Sequence, residues 1–275
     1  ICYIINSLAF LNFNSKTQQT TANTYIMGFL NRLFGKSSSK KETEKPEKQT
    51  TENTPTFEPI KTELELLERY VALGFEKQID FSELIEGRSW DADLTRGTIT
   101  FGEDMEFPIQ IIGSFSYSVN TWLWAWANSQ SNLPENLMVD AKKLKAYGVQ
   151  HKIDQLRTPE YTIKQDDLHR LGLIAVGMFN ADGYYFADYG SGIMLMTVKS
   201  DEIRKNRKIG HYRIFTTFPQ VISNFNLDHK NAFIAYLKAK GYLIEEKENK
   251  IIGTKGSDRC VAILDQSHRI INLEG

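Results

Sequence analysis

The chain of 275 residues is long enough for one or two domains with a full hydrophobic core. Its 41% hydrophobic, 12% aromatic and 24% charged residues are those of an ordinary globular protein, not of a collagenous or wholly disordered chain. With 33 basic against 34 acidic residues the formal charge is -1, so no global attraction draws nucleic acid or a polyanionic substrate, and no nucleic-acid partner is expected.

The opening Ile1 to Phe13 is apolar but lacks the basic flank and small-residue cleavage site of a secretory signal, and asparagines interrupt it. The first methionine is Met27, so residues 1–26 are read as a translated upstream region or fragment edge. From Met27 to Lys36, Phe29, Leu30, Leu33 and Phe34 fall on one helical face, a short amphipathic segment suited to weak membrane-surface contact. A frayed end is the blander reading. Residues 37–56 hold Ser, Thr, Lys, Glu, Asn and Pro without apolar residues and read as linker, so residues 1–56 form a disordered leader and the fold begins near Phe57.

Leu64, Leu67 and Val71 recur at helical spacing, which predicts an amphipathic helix over 61–79 with Thr62 near its start. The period then drops to two. Trp90, Ala92 and Leu94 alternate, as do Ile99 and Phe101, with Gly97 and Gly102 in the turns. Phe107, Ile109, Ile111, Phe115 and Tyr117 are expected on one face of a long strand, the third of an antiparallel meander.

The run Asn120 to Asn128 carries Trp122, Trp124 and Trp126. As a central strand it puts the three indoles on one face and Leu123, Ala125 and Ala127 on the other; as a helix it would separate them. The aligned indoles make Trp122, Trp124 and Trp126 candidate ligand-binding residues, a stacking platform for sugars, bases or a peptide, with core packing as the alternative. Asn120 and Asn128 are the nearest partners for their N–H groups.

A helix is predicted over 133–147 with Gly148 as its stop, and another from Asp166 with Leu168, Leu171, Ala175 and Met178 inward. Tyr184 to Tyr189 and Ile193 to Lys199 read as paired strands. Tyr184 and Asp188 share a face of the first and complete the candidate site; Asp188 is the carboxylate to watch. The basic run Arg204 to Arg213 reads as a solvated connection, with an anion-binding patch as the alternative. Beyond it come a strand over 212–218, a helix over 228–240 ended by Gly241, and four short strands. The string Asp265 to Arg269 holds triad residue types but reads as a tight turn.

The fold class is therefore α+β: an antiparallel β-meander sheet packed with helices over 57–200, plus a small helix-and-meander module over 201–275. The motif Thr121 to Asn128, with the 144–148 segment, the Asp166-Asp167 helix and the Gly183-Tyr184-Tyr185 strand, resembles an uncharacterised bacterial family with a TWLWAWAN-type signature over about residues 90–200. That resemblance implies a bacterial, cytosolic protein and carries over no catalytic residue.

Two cysteines at opposite ends, Cys2 and Cys260, build no disulfide framework and suit a reducing compartment. The five histidines are scattered, so no metal site is expected, and no phosphate loop, dinucleotide fingerprint or serine elbow points to a cofactor. The expectation is a non-enzymatic cytoplasmic interaction protein with another protein as partner. Two other readings stand beside it: a hydrolase or transferase assembled from Asp188, Tyr184 and His169 near the tryptophan strand, and a membrane-surface adaptor using Phe29 to Phe34.

Overall fold

The computed structural model describes residues 60–275. The readings on the leader, on the Met27 segment and on its membrane contact lie outside these residues. The architecture is α+β, with seven helices and two antiparallel sheets of seven and four strands among the described residues.

Helix α1 (Glu63–Leu84) runs through the middle of the molecule. Thr62 caps it by accepting the Glu65 N–H at 3.1 Å, and the Glu65 carboxylate accepts the Lys61 N–H at 2.8 Å, a reciprocal arrangement that holds the first turn. The helix runs five residues past the end that its apolar period predicts, and it is enclosed on almost every side. Glu68, Glu76, Lys77, Gln78, Asp80 and Ser82 are all buried along it, which a stripe-and-solvent reading does not foresee.

The large sheet begins as a meander: β1 (Trp90–Asp93), β2 (Thr98–Phe101), β3 (Met105–Ser116), β4 (Thr121–Trp124) and β5 (Glu160–Thr162) lie side by side. Between β4 and β5 run α2 (Val139–His151) and the short α3 (Asp154–Arg157). After α4 (Leu168–Met178), the hairpin β6 (Gly183–Asp188) and β7 (Gly192–Val198) joins along β3. A bulge between Ile111 and Gly113 breaks the β3–β7 register. It inserts Ile112, so the residues before and after it face opposite ways. Phe107, Ile109 and Ile111 enter a smaller core with Phe81 and Phe101, whereas Ile112 and Phe115 enter the main core with the tryptophans and α1. The expectation that Phe107 through Tyr117 share one face is corrected by this single extra residue.

Two further expectations are overturned. Helix α2 continues through Gly148 to His151, and the turn falls at Lys152, whose φ of 58° is left-handed. Gly148 instead gives room: a Cβ there would lie 2.5 Å from the Leu156 side chain. The strand expected over 212–218 is helix α6 (Arg213–Asn224), whose Ile214, Phe218 and Val221 are buried at helical spacing. Its internal Pro219 lies on the exposed side, away from the packed face.

The short α5 (Asp201–Lys205) precedes α6, and α7 (His229–Ala239) follows it. The four-stranded sheet then forms from β8 (Leu243–Lys247), β9 (Lys250–Lys255), β10 (Asp258–Leu264) and β11 (Ile270–Glu274), in the order β11-β10-β9-β8. Phe218, Phe233, Tyr236, Ile251 and Cys260 belong to the same continuous core as Leu66, Leu67 and Trp122.

Strand β6 pairs only with β7, so its other edge would leave backbone groups open. Gln78 of α1 closes it. Its amide oxygen accepts the Tyr184 N–H at 2.8 Å and its amide nitrogen donates to the Tyr184 carbonyl at 3.1 Å, the two bonds that a neighbouring strand would make.

Candidate functional site

The clamp from Gln78 fixes Tyr184, and the alternation of β6 sets Phe186 and Asp188 on the same face. From α4, His169 reaches this face: its Nδ1 lies 2.6 Å from the Tyr184 hydroxyl and its ring packs edge-on against Phe186. Burial holds the His169 imidazole down to a pKa of about 4 and pushes the Tyr184 phenol up, so both are neutral at pH 7. At the far end, Tyr117 donates to Asp188 Oδ2 at 2.9 Å, while Asp188 Oδ1 accepts the Gly190 N–H at 2.7 Å. Burial and then the Asp188 carboxylate raise the Tyr117 phenol. Tyr184, Asp188 and His169 thus share one sheet face, but Asp188 is engaged by Tyr117 and His169 by Tyr184.

The indoles do not form one surface. β4 stops at Trp124 and a single 3-10 turn carries Ala125 to Ala127, so Trp126 leaves the strand and the extended reading of this run is corrected beyond Trp124. Trp122 and Trp124 pack edge-to-face with centroids 5.4 Å apart, at 0% and 1% exposure. A Cβ on Gly113 would sit 2.4 Å from the Trp122 ring, so glycine lets the indole lie against β3. Trp124 Nε1 donates to the Gln155 carbonyl at 2.9 Å, not to Asn120 or Asn128. The half-buried Trp126 has the Lys145 ammonium 4.1 Å from its ring centre, a cation–π contact. Trp122 and Trp124 are thus enclosed in the core.

A cleft of about 360 Å³ lies at the start of α1, between Lys61 to Leu64, Lys152 to Gln155 and Arg170. Glu63 pairs with Arg170 at 3.2 Å across it. Among the described residues no group of three or more His, Cys, Asp or Glu is placed to hold a metal ion, and no helix is long and apolar enough to cross a membrane. Asp265 accepts the N–H groups of Ser267 and Arg269, a tight turn.

The groups that sequence reasoning missed are the buried charges around α1. The basic run Arg204 to Arg213 is not a free patch. Arg204 and Arg207 both pair with Asp182, which is 0% exposed and also accepts the Ser200 N–H. Lys208 pairs with Glu83, and Arg213 reaches Asp80 at 2.8 Å. His211 Nδ1 lies 2.8 Å from the Tyr242 hydroxyl. Further along, Glu76 binds Lys240 and accepts from Tyr236, and Glu68 accepts the Asp228 N–H. Burial pushes Asp80 up to about 6 against the pull of Arg213, and burial lowers Lys77 to about 8. The one available signal was the density of ionisable residues on an otherwise apolar helix.

An α+β domain whose bulged antiparallel sheet is wrapped on a polar-studded central helix is the class that this geometry defines. Residues 64–200 match the model of DUF6882, a family of unknown function. No curated protein and no solved structure matches the chain.

Proposed function

We propose that this is a non-enzymatic, cytosolic interaction protein of bacteria, whose partner is another protein. The observation that carries the reading is the loop between α5 and α6. Its Ile209 and Tyr212 are 80% and 81% exposed, more than any other large apolar side chain described. Exposed apolar groups gathered within a short loop mark contact sites more often than scattered ones do. The loop is held from both ends: Lys208 by Glu83 and by the Asp80 carboxylate on its N–H, His211 by Tyr242, and Arg213 by Asp80. The backbone that presents Ile209 and Tyr212 is thus anchored at neighbouring residues, which lowers the entropic cost of binding a partner there. The paucity of cysteines supports a reducing compartment.

An enzymatic reading at the tryptophan strand needs a substrate to reach His169 and displace Tyr184, and the hydrogen bond between these two neutral groups disfavours it. The test is recovery of partners from lysate on the full chain and on an Ile209→Ser, Tyr212→Ser double variant. A protein retained by the first and lost by the second is expected. Identical recovery on both, or none on either, overturns the proposal.

A further inference from the structure

Gln78 closes the edge of β6, but other strand edges stay open, and they are not alike. β5 is three residues long, β1 carries Asp91 and Asp93, and β11 is bulged opposite Leu264. Shortness, charge and bulges all discourage a strand edge from pairing. β8 is different. Its register against β9 is regular over all five residues, and its carboxylates are matched within the molecule, Glu246 by Lys230 at 2.8 Å and Glu245 by Lys247 at 2.9 Å.

The register also fixes which backbone groups face outward. Leu264 N–H donates to the Asn249 carbonyl at 2.8 Å, so Ile251 and Gly253 bond to β10, while Lys250, Ile252 and Thr254 turn to Lys247, Glu245 and Leu243 of β8. Ile244 and Glu246 then direct their N–H and C=O groups away from the sheet. Among the described residues no strand lies beside them. Donors and acceptors repeated at a spacing of two residues are complementary to the backbone of another extended chain.

The side chains at one end of this edge are apolar. Leu243 is 78% exposed. Tyr242, the residue before the strand, holds His211 Nδ1 2.8 Å from its hydroxyl, which ties the Ile209–Tyr212 loop to the start of β8. We propose that the protein partner inferred above contributes an extended segment that adds to β8 as a further antiparallel strand. Apolar side chains of that segment meet Leu243 and, beyond it, Ile209 and Tyr212. The strand addition rests on the protein-partner reading and gives the form of what binds. A second copy of this chain is the poorer occupant, because pairing Ile244 of one copy with Glu246 of the other sets Glu245 opposite Glu245, a repulsive cross-strand pair.

The probe is a library of short random peptides displayed on phage and selected on the full chain. Selected sequences should carry alternating apolar residues toward one end. A synthetic peptide of the selected sequence should slow amide exchange at Ile244 and Glu246 about tenfold or more, with little change at Leu243 and Glu245, which already bond to β9. Glu246→Pro removes an outward N–H that β9 does not use, so it should weaken the peptide about tenfold at an unchanged thermal midpoint. Glu246→Ala, which loses only the Lys230 pair, should bind as the unmodified chain does. If Glu246→Pro does not fold, amide exchange on the unmodified chain decides alone. No selected peptide, binding without protection of Ile244 and Glu246, or equal affinity for the Pro and Ala variants overturns the strand addition. Peptide binding that is lost in the Ile209→Ser, Tyr212→Ser variant but indifferent to Glu246→Pro overturns it while leaving the loop as the contact site. Protection of both amides that grows with protein concentration in the free chain assigns the edge to a second copy, and overturns it as well.

Discussion

The two long sides of α1 are built on opposite terms. Toward the sheet and α4 the contacts are close and, apart from the Gln78 clamp and the Glu63–Arg170 pair, apolar: Phe81 lies against Gly183, and a Cβ on Gly74 would sit 2.9 Å from the Leu173 carbonyl. Toward α6 and α7, three buried carboxylates, Glu68, Glu76 and Asp80, meet Asn231, Lys240 and Arg213. Apolar surface accepts any neighbour of fitting shape, and it supplies most of the stability. A buried ion pair adds little over an apolar pair of the same shape but is costly to break, so it accepts only the matched register. The sheet side therefore holds the helix, and the other side selects which residues of the C-terminal part may lie against it.

That contrast can be broken first at Asp182. Asp182→Ala removes the carboxylate between Arg204 and Arg207 and leaves two partly buried guanidinium groups. A loss of about 3–5 kcal/mol is expected, read as a lower midpoint in urea with an unchanged denaturant slope. A loss below 1 kcal/mol would show that the pairs are solvated and selective of nothing.

Titration sharpens the contrast, because the two sides respond to acid in opposite directions. His169, on the sheet side, has its folded pKa lowered from 6.5 to about 4. The unfolded chain takes up this proton first, so wild-type stability falls relative to His169→Gln as pH drops from 6.5 to 4. The difference should reach about 2–3 kcal/mol. Asp80, on the other side, has its folded pKa raised from 3.8 to about 6. Here the folded chain takes up the proton first, so wild type gains on Asp80→Asn over pH 6 to 4, by a similar amount. Denaturant titrations at three pH values measure both slopes, and slopes of equal sign would refute the assignment.

On the apolar side alone, Gly113→Ala drives a methyl group into the Trp122 ring and the Leu123 carbonyl. A cost of about 1–3 kcal/mol is expected, with a shift in indole fluorescence, which Asp80→Asn should not produce. The smallest effect belongs to the shared start of the helix. Thr62→Ala removes the cap on Glu65 N–H and should cost about 1 kcal/mol without moving either pH slope.

Much of this architecture was legible in periodicity. The strands over 184–199 and the terminal meander lie where alternation puts them, because their hairpin registers are regular apart from one shift between Ile263 and Leu264. What escaped was whatever depends on one residue against a distant one. The Ile112 bulge is invisible in an uninterrupted run of β formers, yet it divides the cores. Helix α6 reads as a strand because Tyr212, Ile214, Thr216 and Phe218 alternate locally, and only Val221, beyond that run, belongs to the longer period. At the candidate site, the shared face of Tyr184 and Asp188 followed from strand spacing. The partners Tyr117 and Gln78 came from elements 71 and 106 residues away, beyond any local pattern.

The amide of Gln78 also bears on what the protein does in a crowded cell. A strand edge with open hydrogen-bonding groups is a template on which other chains can crystallise into fibrils, and β6, with its run of aromatic residues, has the composition for it. One side chain from a helix ends the ladder at Tyr184, so the sheet stops growing where the molecule stops.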